Sequence, residues 1–531
     1  MSLAQNAFAP AVAVAVSNQQ FQPAAQVLQR KILIMGTYLP AQSGITNYLP
    51  VEISSPQQAG SVYGFGSMLH RMAIGVFNGM ASQGSQVPVY VMPDSETNIT
   101  TAVAATGTFT ITATSSLAGT LSVYVDNLQY SVPVTAGASA DSIGAAIAAA
   151  INADKNCPGT AVDLTGVVTL TAKSKGVWGN AIPLGVSIRS ADVTPGGVSV
   201  VVVAMGSVIP GSGTNTDSIN AMLAALGTGD NTNGAGFTEV ICGYHQDQNV
   251  IAAIGTYCGL GNTQSGLFAP TVHRPFRCLW GDITTGASVP TGLSSLASTN
   301  NLDRCNGIIA APGSNTHPEE IAATAIGIMS VVNNINPASP YVGLLLPGIE
   351  PGYAAGVSGI RWTDSYAQRV AAMGEGVGFT QAQGSALYLS GTISFYCPVS
   401  VAATSNGYRE MRNMSVLQNE LYNIWLTFSG PSWQQITIVK DPRAVTNPII
   451  RQKVRSLDDF NASWVALIDL FVSMAWLYDG SLAVSAIAGG SATAIRPAGD
   501  GFTAVIPGIL SGIGNVFDNQ FNFDIAIPSG S

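Results

Sequence analysis

Hydrophobic and polar positions alternate at both ends of the chain. Val12, Val14 and Val16 alternate with alanine, and Phe521, Phe523, Ile525 and Ile527 alternate with polar or small residues. A period of two is that of a strand. Neither segment has a hairpin partner beside it, and a lone strand leaves its N–H and C=O groups unpaired until a sheet accepts it. That sheet lies either in the same subunit or in a neighbour, by strand addition. The second arrangement makes the chain a building block.

Between these arms the periodicity changes several times. Residues 31–36 and 87–92 read as strands, and Ser55, Pro56 and Gln58 read as the start of a helix. Met68, Leu69, Met72, Val76 and Met80 trace one helical face. Near residue 98 the chain becomes rich in Thr, Val, Ala, Ser and Gly. Strands are expected there over 108–113, 121–125, 129–134 and 167–171. One helix, capped by Ser139, carries Ile143, Ile147 and Ile151 on one face. This reads as an independent, outward-facing β-rich module inserted into a larger domain.

From residue 206 strands (238–242, 276–280, 307–311, 344–346) alternate with helical stretches (250–257, 291–298, 318–332), the rhythm of an α/β layer with a largely parallel sheet. A Gly/Pro loop over 347–360 precedes a helix over 408–428. A strand over 436–440, a helix over 457–478 capped by Ser456, and strands over 483–487 and 502–506 follow.

The expected fold class is therefore a multidomain α/β (α+β) chain. It has an N-terminal arm (1–28), a first part of the core (29–97), the insertion (98–205), an α/β domain (206–350), a C-terminal domain (351–515) and a C-terminal strand arm (516–531).

Composition sharpens this picture. Only 9% of the 531 residues are charged, against about 25% in a typical soluble chain. So few charges suit a surface largely covered by neighbouring subunits, and a very uncharged, glycine-rich surface protein would look similar. The net charge of −9 argues against direct nucleic-acid binding or an anionic membrane. Six cysteines form no CxxC pair and no disulfide framework, so buried thiols in a reducing cytoplasm are expected. Cys242 and His245, with His273 and Cys278 further on, fit no zinc-finger spacing. No signal peptide is expected. The best apolar stretch, 462–478, is interrupted by Asp469 and too short to insert in a membrane.

The search for reaction chemistry yields little. Gly64-Phe65-Gly66 lacks the third glycine of a dinucleotide loop and reads as a helix break. There is no P-loop and no GxSxG elbow. His70, His245, His273 and His317 leave few general bases. Glu319 and Glu320 read as helix-start charges. No enzyme activity, cofactor or metal is expected. Charge is nevertheless uneven: Lys440, Arg443, Arg451, Lys453 and Arg455 face a single acid, Asp441, within their span. Such a cluster is either a solvated face or, in so uncharged a chain, a surface that meets an acidic partner and sets its register.

Three stretches resemble the contractile tail sheath proteins of Mu-like phages. They are residues 63–69 leading to Arg71 and Met72; residues 118–125 with the helix 140–151; and Leu170 to Lys173 followed by Gly176, Gly179 and Asn180. The resemblance is clearest over residues 31–188 and collinear to the C-terminus. It implies a homo-oligomer of stacked rings around a tail tube, in the virion tail, assembled in the bacterial host cytoplasm. It also implies baseplate and tail terminator partners. Terminal arms would complete sheets in neighbouring subunits, and contraction of a metastable sheath would drive the tube through the host envelope without nucleotide hydrolysis. The family's tube-facing element is a helix or loop of the C-terminal domain, and the basic residues 440–455 are this chain's candidate. Two other readings compete: a different virion or surface-layer protein (tail tube, capsid), and an α/β hydrolase-like enzyme using residues 206–350.

Overall fold

Lys31 leads into a run of apolar residues with no charge, and that run is an inner strand of a large sheet. The computed structural model describes residues 26–511 except 99–102, 113, 190, 207–213, 228–235, 245–246, 260–264, 270–271, 273, 285–302, 353–365 and 397–405. In chain order the first elements are β1 (Ile32–Tyr38), β2 (Val51–Ile53), α1 (Pro56–Tyr63), α2 (Met68–Ser82) and β3 (Val89–Ser95). The insertion supplies β4 (Ala104–Ile111), β5 (Gly119–Val125), β6 (Leu128–Val134), α3 (Ala140–Ala153), β7 (Gly159–Leu164), β8 (Val167–Lys175), β9 (Leu184–Val186) and β10 (Val200–Gly206). The chain continues with α4 (Thr214–Leu226), β11 (Glu239–Cys242), α5 (Gln248–Cys258), β12 (Arg277–Asp282), β13 (Asn306–Ala310) and α6 (Pro318–Ile335). Then come β14 (Leu345–Leu346), α7 (Tyr366–Gly374), β15 (Val377–Gln383), β16 (Ala386–Gly391) and α8 (Met411–Ser429).

The fold is a multidomain mixture of helices and several sheets. Its largest sheet has nine strands in the order β14-β16-β15-β13-β12-β11-β1-β3-β2. The six from β15 to β3 run parallel, and antiparallel strands close both edges. Both faces are covered, as an all-parallel centre requires. Ile32 and Ile34 of β1 face a core containing α2 and α6, while Leu33 and Met35 face a second core containing α4 and α5. The expected boundary at 350/351 falls inside this sheet, because β15 and β16 add to the edge beyond β13. They belong with the compact unit Val27–Tyr422.

The insertion forms a four-stranded sheet (β10-β4-β8-β7) and a three-stranded sheet (β6-β5-β9). Ser139 caps α3 as expected, accepting from the Ser142 N–H at 3.2 Å. The apolar side chains of the insertion, Phe109, Ile147 and Val168 among them, belong to the same buried cluster as Met72 of α2 and Ile326 of α6. Insertion and sheet thus share one continuous core, which departs from the expectation of a self-contained module.

The second unit, Asn423–Ser511, is small. It contains β17 (Thr437–Ile438), α9 (Pro448–Arg451), β18 (Val454–Arg455), α10 (Leu457–Ser473), β19 (Leu477–Asp479), α11 (Ser481–Ala488), β20 (Thr493–Ile495), β21 (Phe502–Ala504) and β22 (Ile509–Leu510). Aromatic rings hold it together. Phe460 stacks on Phe502 at 4.9 Å between centroids, and Phe428, Trp433 and Trp464 surround Phe460. Such pairs contribute about 0.5–1.5 kcal/mol each beyond area burial. Ser456 and Asp459 form a complete capping box at the start of α10. Two expectations need correction. Residues 483–487 are helical, because a short Ala-rich apolar run has no period that separates helix from strand. The helix expected to reach 478 stops at Ser473, where Ala475 takes a left-handed φ of 57° and turns the chain into β19.

Helices α2 and α6 approach closely through glycine. A Cβ on Gly79 would lie 2.2 Å from the Thr324 carbonyl oxygen, and one on Gly327 would lie 2.3 Å from that of Val76. Backbone cannot retreat as a side chain can, so Gly79→Ala or Gly327→Ala must push the helices apart. Each is expected to destabilise the unit by about 1–3 kcal/mol, read as a lowered denaturant midpoint in urea unfolding, whereas Gly374→Ala is not subject to this clash, having open space around it and no left-handed φ.

Candidate functional site

The seven arm positions, Val12, Val14, Val16, Phe521, Phe523, Ile525 and Ile527, lie outside the described residues. The described chain starts under tight control. The Leu28 N–H donates to Asn419 Oδ1 at 2.7 Å. In the smaller unit, Gln26 exchanges two hydrogen bonds with Asn423, at 3.1 and 2.9 Å. At the other end β22 pairs antiparallel with β19.

The cationic span is a surface loop of the smaller unit. β17 and β18 pair in parallel and bring the two ends of the loop together, with Thr437 opposite Val454 and Ile438 opposite Arg455. Between them Asn447 caps the four-residue α9. Lys440, Arg443, Arg451 and Lys453 are exposed, and Arg455 is half-buried. The Arg455 guanidinium lies 5.9 Å from the Trp433 ring and donates to the carbonyls of Gln452 and Val454. The nearby acid is turned to local use: Asp441 accepts the Arg443 N–H at 2.8 Å. Among the described residues no ion pair involves any of the five basic side chains. Two apolar residues stand beside them, Ile449 at 78% and Ile450 at 53% exposure. The loop therefore presents net positive charge with apolar side chains among it, which suits an acidic, partly apolar partner.

Sequence reasoning missed two buried charge clusters in the larger unit. In the first, Arg277 grips Glu239 with two hydrogen bonds of 2.8 and 2.6 Å and reaches Tyr341 Oη at 2.7 Å. Arg30 lies 3.7 Å from the same carboxylate and also bonds Gln418 and the Ser415 carbonyl. Burial lowers the Arg30 pKa to about 10, with the neighbouring Arg277 charge adding to that effect and Glu239 opposing it. The second cluster joins insertion to sheet. Arg71 of α2 donates to both oxygens of Glu320 at 2.7 Å, to Asp126 at 2.8 Å and to Asn127 at 2.7 Å. The signal was available: in so uncharged a chain, Arg71, Glu239 and Arg277 interrupt otherwise apolar runs, and such residues are buried only when paired.

The other sequence candidates have structural places. Gly64 (φ 99°) and Gly66 (φ 81°) make the break between α1 and α2. His70 is buried, accepts the Gly66 N–H on Nδ1 at 3.0 Å, and has its pKa lowered to about 4, first by burial and then by Arg71. It is neutral at physiological pH. His317 caps α6 and stacks on Trp178 of the insertion at 4.3 Å. Glu319 and Glu320 do stand in the first turn of α6, but both are buried, and burial pushes both carboxyls well up. Burial also pushes up the Cys242, Cys278 and Cys305 thiols. His245 and His273 lie outside the described residues, among which no group of three or more His, Cys, Asp or Glu is placed to hold a metal ion. No helix among them is long and apolar enough to cross a membrane.

Glu239→Ala would leave Arg30 and Arg277 buried together without a counter-charge. The expected cost is about 3–5 kcal/mol, measured by chemical denaturation. Replacing Arg277 by Met along with Glu239→Ala should recover part of it, since that removes one of the two guanidiniums left without a counter-charge, while Arg30 still lacks one.

No protein-family model matches the chain. Two solved structures are similar at low identity. A sheath tail protein of Desulfitobacterium hafniense has a TM-score of 0.43 and 10% identity, covering 94% of this chain and 100% of that one. A sheath tail protein of Listeria innocua has a TM-score of 0.43 and 10% identity, covering 92% and 94%. Among curated proteins, the Mu-like prophage FluMu tail sheath protein of Haemophilus influenzae is 30% identical over 175 residues, 33% of this chain. The match spans about a third of that relative's length (34%). The resemblance to Mu-like phage tail sheath proteins that the sequence carries is thus shared with a curated relative of that name.

Proposed function

We propose that this chain is the structural subunit of a contractile phage tail sheath, polymerising as stacked rings around a tail tube in the virion tail. The observation that carries the reading is the 30% identity over 175 residues to a Mu-like prophage tail sheath protein. The chain's scarcity of charge supports it, because a surface with so few charged residues suits a subunit enclosed by copies of itself. In this reading the alternating termini reach into neighbouring subunits and complete their sheets, and contraction of the sheath drives the tube through the host envelope. The partners are further copies of the chain, the tube protein, and the baseplate and terminator proteins at the tail ends. Such a subunit works by assembly, not by catalysis.

The cationic loop is its tube-facing surface. Lys440, Arg443, Arg451, Lys453 and Arg455 would meet acidic groups of the tube, with Ile449 and Ile450 adding apolar contact. Exposed ion pairs contribute about 0–1 kcal/mol each. A row repeated in every ring sets register by summation, while each contact stays weak enough to release when the sheath contracts.

Electron microscopy of the purified chain tests the reading: the full chain should form wide hollow tubes, and a chain lacking residues 517–531 should remain folded but form none. Solid aggregates, or equal assembly by the truncated chain, contradict it. Reversing Arg451, Lys453 and Arg455 to glutamate should abolish coating of tail tubes while tube-free polymers still form, and wild-type coating should weaken as salt rises from 0.1 to about 1 M. Normal coating by the triple variant would remove the loop from the tube interface.

A further inference from the structure

The cluster around Arg30 and Arg277 lacks negative charge and lacks acceptors in the same place. Arg30, Glu239, Arg277, Asn333 and Ser415 are 0% exposed, and Tyr341 is 1% exposed. Among the described residues Glu239 is the one carboxylate in ion-pair contact with either guanidinium. Arg277 takes both of its oxygens, at 2.8 and 2.6 Å, and Arg30 stands 3.7 Å from one of them. Both arginines are cationic at neutral pH, so the buried cluster carries a net charge of +1. Arg412 adds a cation near Tyr341, and Glu410 at most cancels it, so the excess is not smaller than one.

The hydrogen bonds show the matching deficit. Arg277 is fully engaged, since Nη1 donates to Tyr341 Oη at 2.7 Å and to the Met411 carbonyl at 3.1 Å. Arg30 donates through Nη1 to Gln418 Oε1 and through Nη2 to the Ser415 carbonyl at 3.2 Å, but its Nε has no acceptor. Tyr341 Oη donates to Asn333 Oδ1 at 2.7 Å, and Asn333 Nδ2 has no acceptor either. The two orphan donors belong to one network. Arg30 Nη2 bonds the Ser415 carbonyl, Ser415 Oγ lies 3.1 Å from Tyr341 Oη, and that phenol bonds Asn333. The Arg30 N–H also donates to Asn334 Oδ1 at 3.4 Å, which sets the Arg30 backbone beside the same turn of α6.

An unpaired buried charge and an unmet buried donor are each costly. A water molecule could accept from the donors but would leave the charge. A divalent anion would reverse the charge, and a large one has no opening among side chains without solvent. We propose that this cluster is a buried halide site, in which one chloride-sized monovalent anion accepts from Arg30 Nε and Asn333 Nδ2 and neutralises the excess charge. The anion closes the point where the chain enters the sheet. Side chains already hold that entry by its backbone, with the Leu28 N–H on Asn419 and the Lys31 N–H on Thr238. The site does not depend on the sheath reading.

The full chain, at constant ionic strength with sodium chloride or bromide replacing sodium gluconate, tests the site. Crystals grown in bromide should show an anomalous bromine peak within hydrogen-bonding reach of Arg30 Nε and Asn333 Nδ2. In solution, hydrogen-exchange protection of the Arg30 and Lys31 amides should rise with chloride. Above the dissociation constant the rise should be about tenfold per tenfold in chloride, as release of one anion on opening requires. Asn333→Asp supplies the missing charge and acceptor from the protein itself. It should remove the bromine peak and hold protection level as chloride rises. If Asn333→Asp does not fold, Arg30→Met serves, because it removes the excess charge and the Nε donor together, and the same two losses are expected. Water in place of bromine at the cluster, or wild-type protection that ignores chloride, overturns the proposal. So does a chloride response that survives in whichever variant folds.

Discussion

Arg71 is the constraint on which the larger unit turns. A guanidinium without solvent needs counter-charge and several acceptors at once. The chain meets that need only by bringing α2, the β5–β6 turn and the start of α6 to one point. Because Asp126 and Asn127 come from the insertion and Glu320 from the sheet, neither part can satisfy Arg71 alone. The stacking of Trp178 on His317 and the hydrogen bond from Asn315 to the Asp126 backbone extend the same seam. Electrostatics and apolar burial therefore agree that the insertion and the sheet behave as one body.

The second cluster does for the N-terminal chain what Arg71 does for the insertion. Arg30, Glu239, Arg277, Tyr341 and Gln418 tie the strand entry at residue 30 to β11, β12 and α8. A buried, multiply bonded ion cluster yields only by exposing unpaired charge. The close glycine-mediated approach of α2 and α6 works in the same direction, since helices in backbone contact have little room to slide. A unit built this way resists internal deformation.

Charge is scarce in this protein and is used in two opposite ways. Buried in pairs, it fixes internal geometry. Exposed and without ion-pair partners among the described residues, as in the loop from Lys440 to Arg455, it is available to another surface. The two exposed isoleucines beside that loop have no internal purpose visible in the fold.

The sequence by itself determined much of the local structure. Ser55, Ser139 and Ser456 cap the helices expected of them, the stripe from Met68 to Met80 is buried, and strand–helix alternation gives the parallel sheet. These features depend on neighbours within a few residues, and a linear pattern records them. Tertiary structure alone decided the rest. The run at 483–487 became helix because nothing local distinguished the two states. Residues 377–391 joined the sheet at the edge beyond β13, a placement that the alternation of Leu387 and Leu389 along β16 does not itself specify. Glu320 was legible as a helix-start charge, but its partners Arg71 and Asp126 lie 249 and 194 positions away. A pairing of that kind follows from which surfaces the cores bring together, and no periodicity along the chain encodes it.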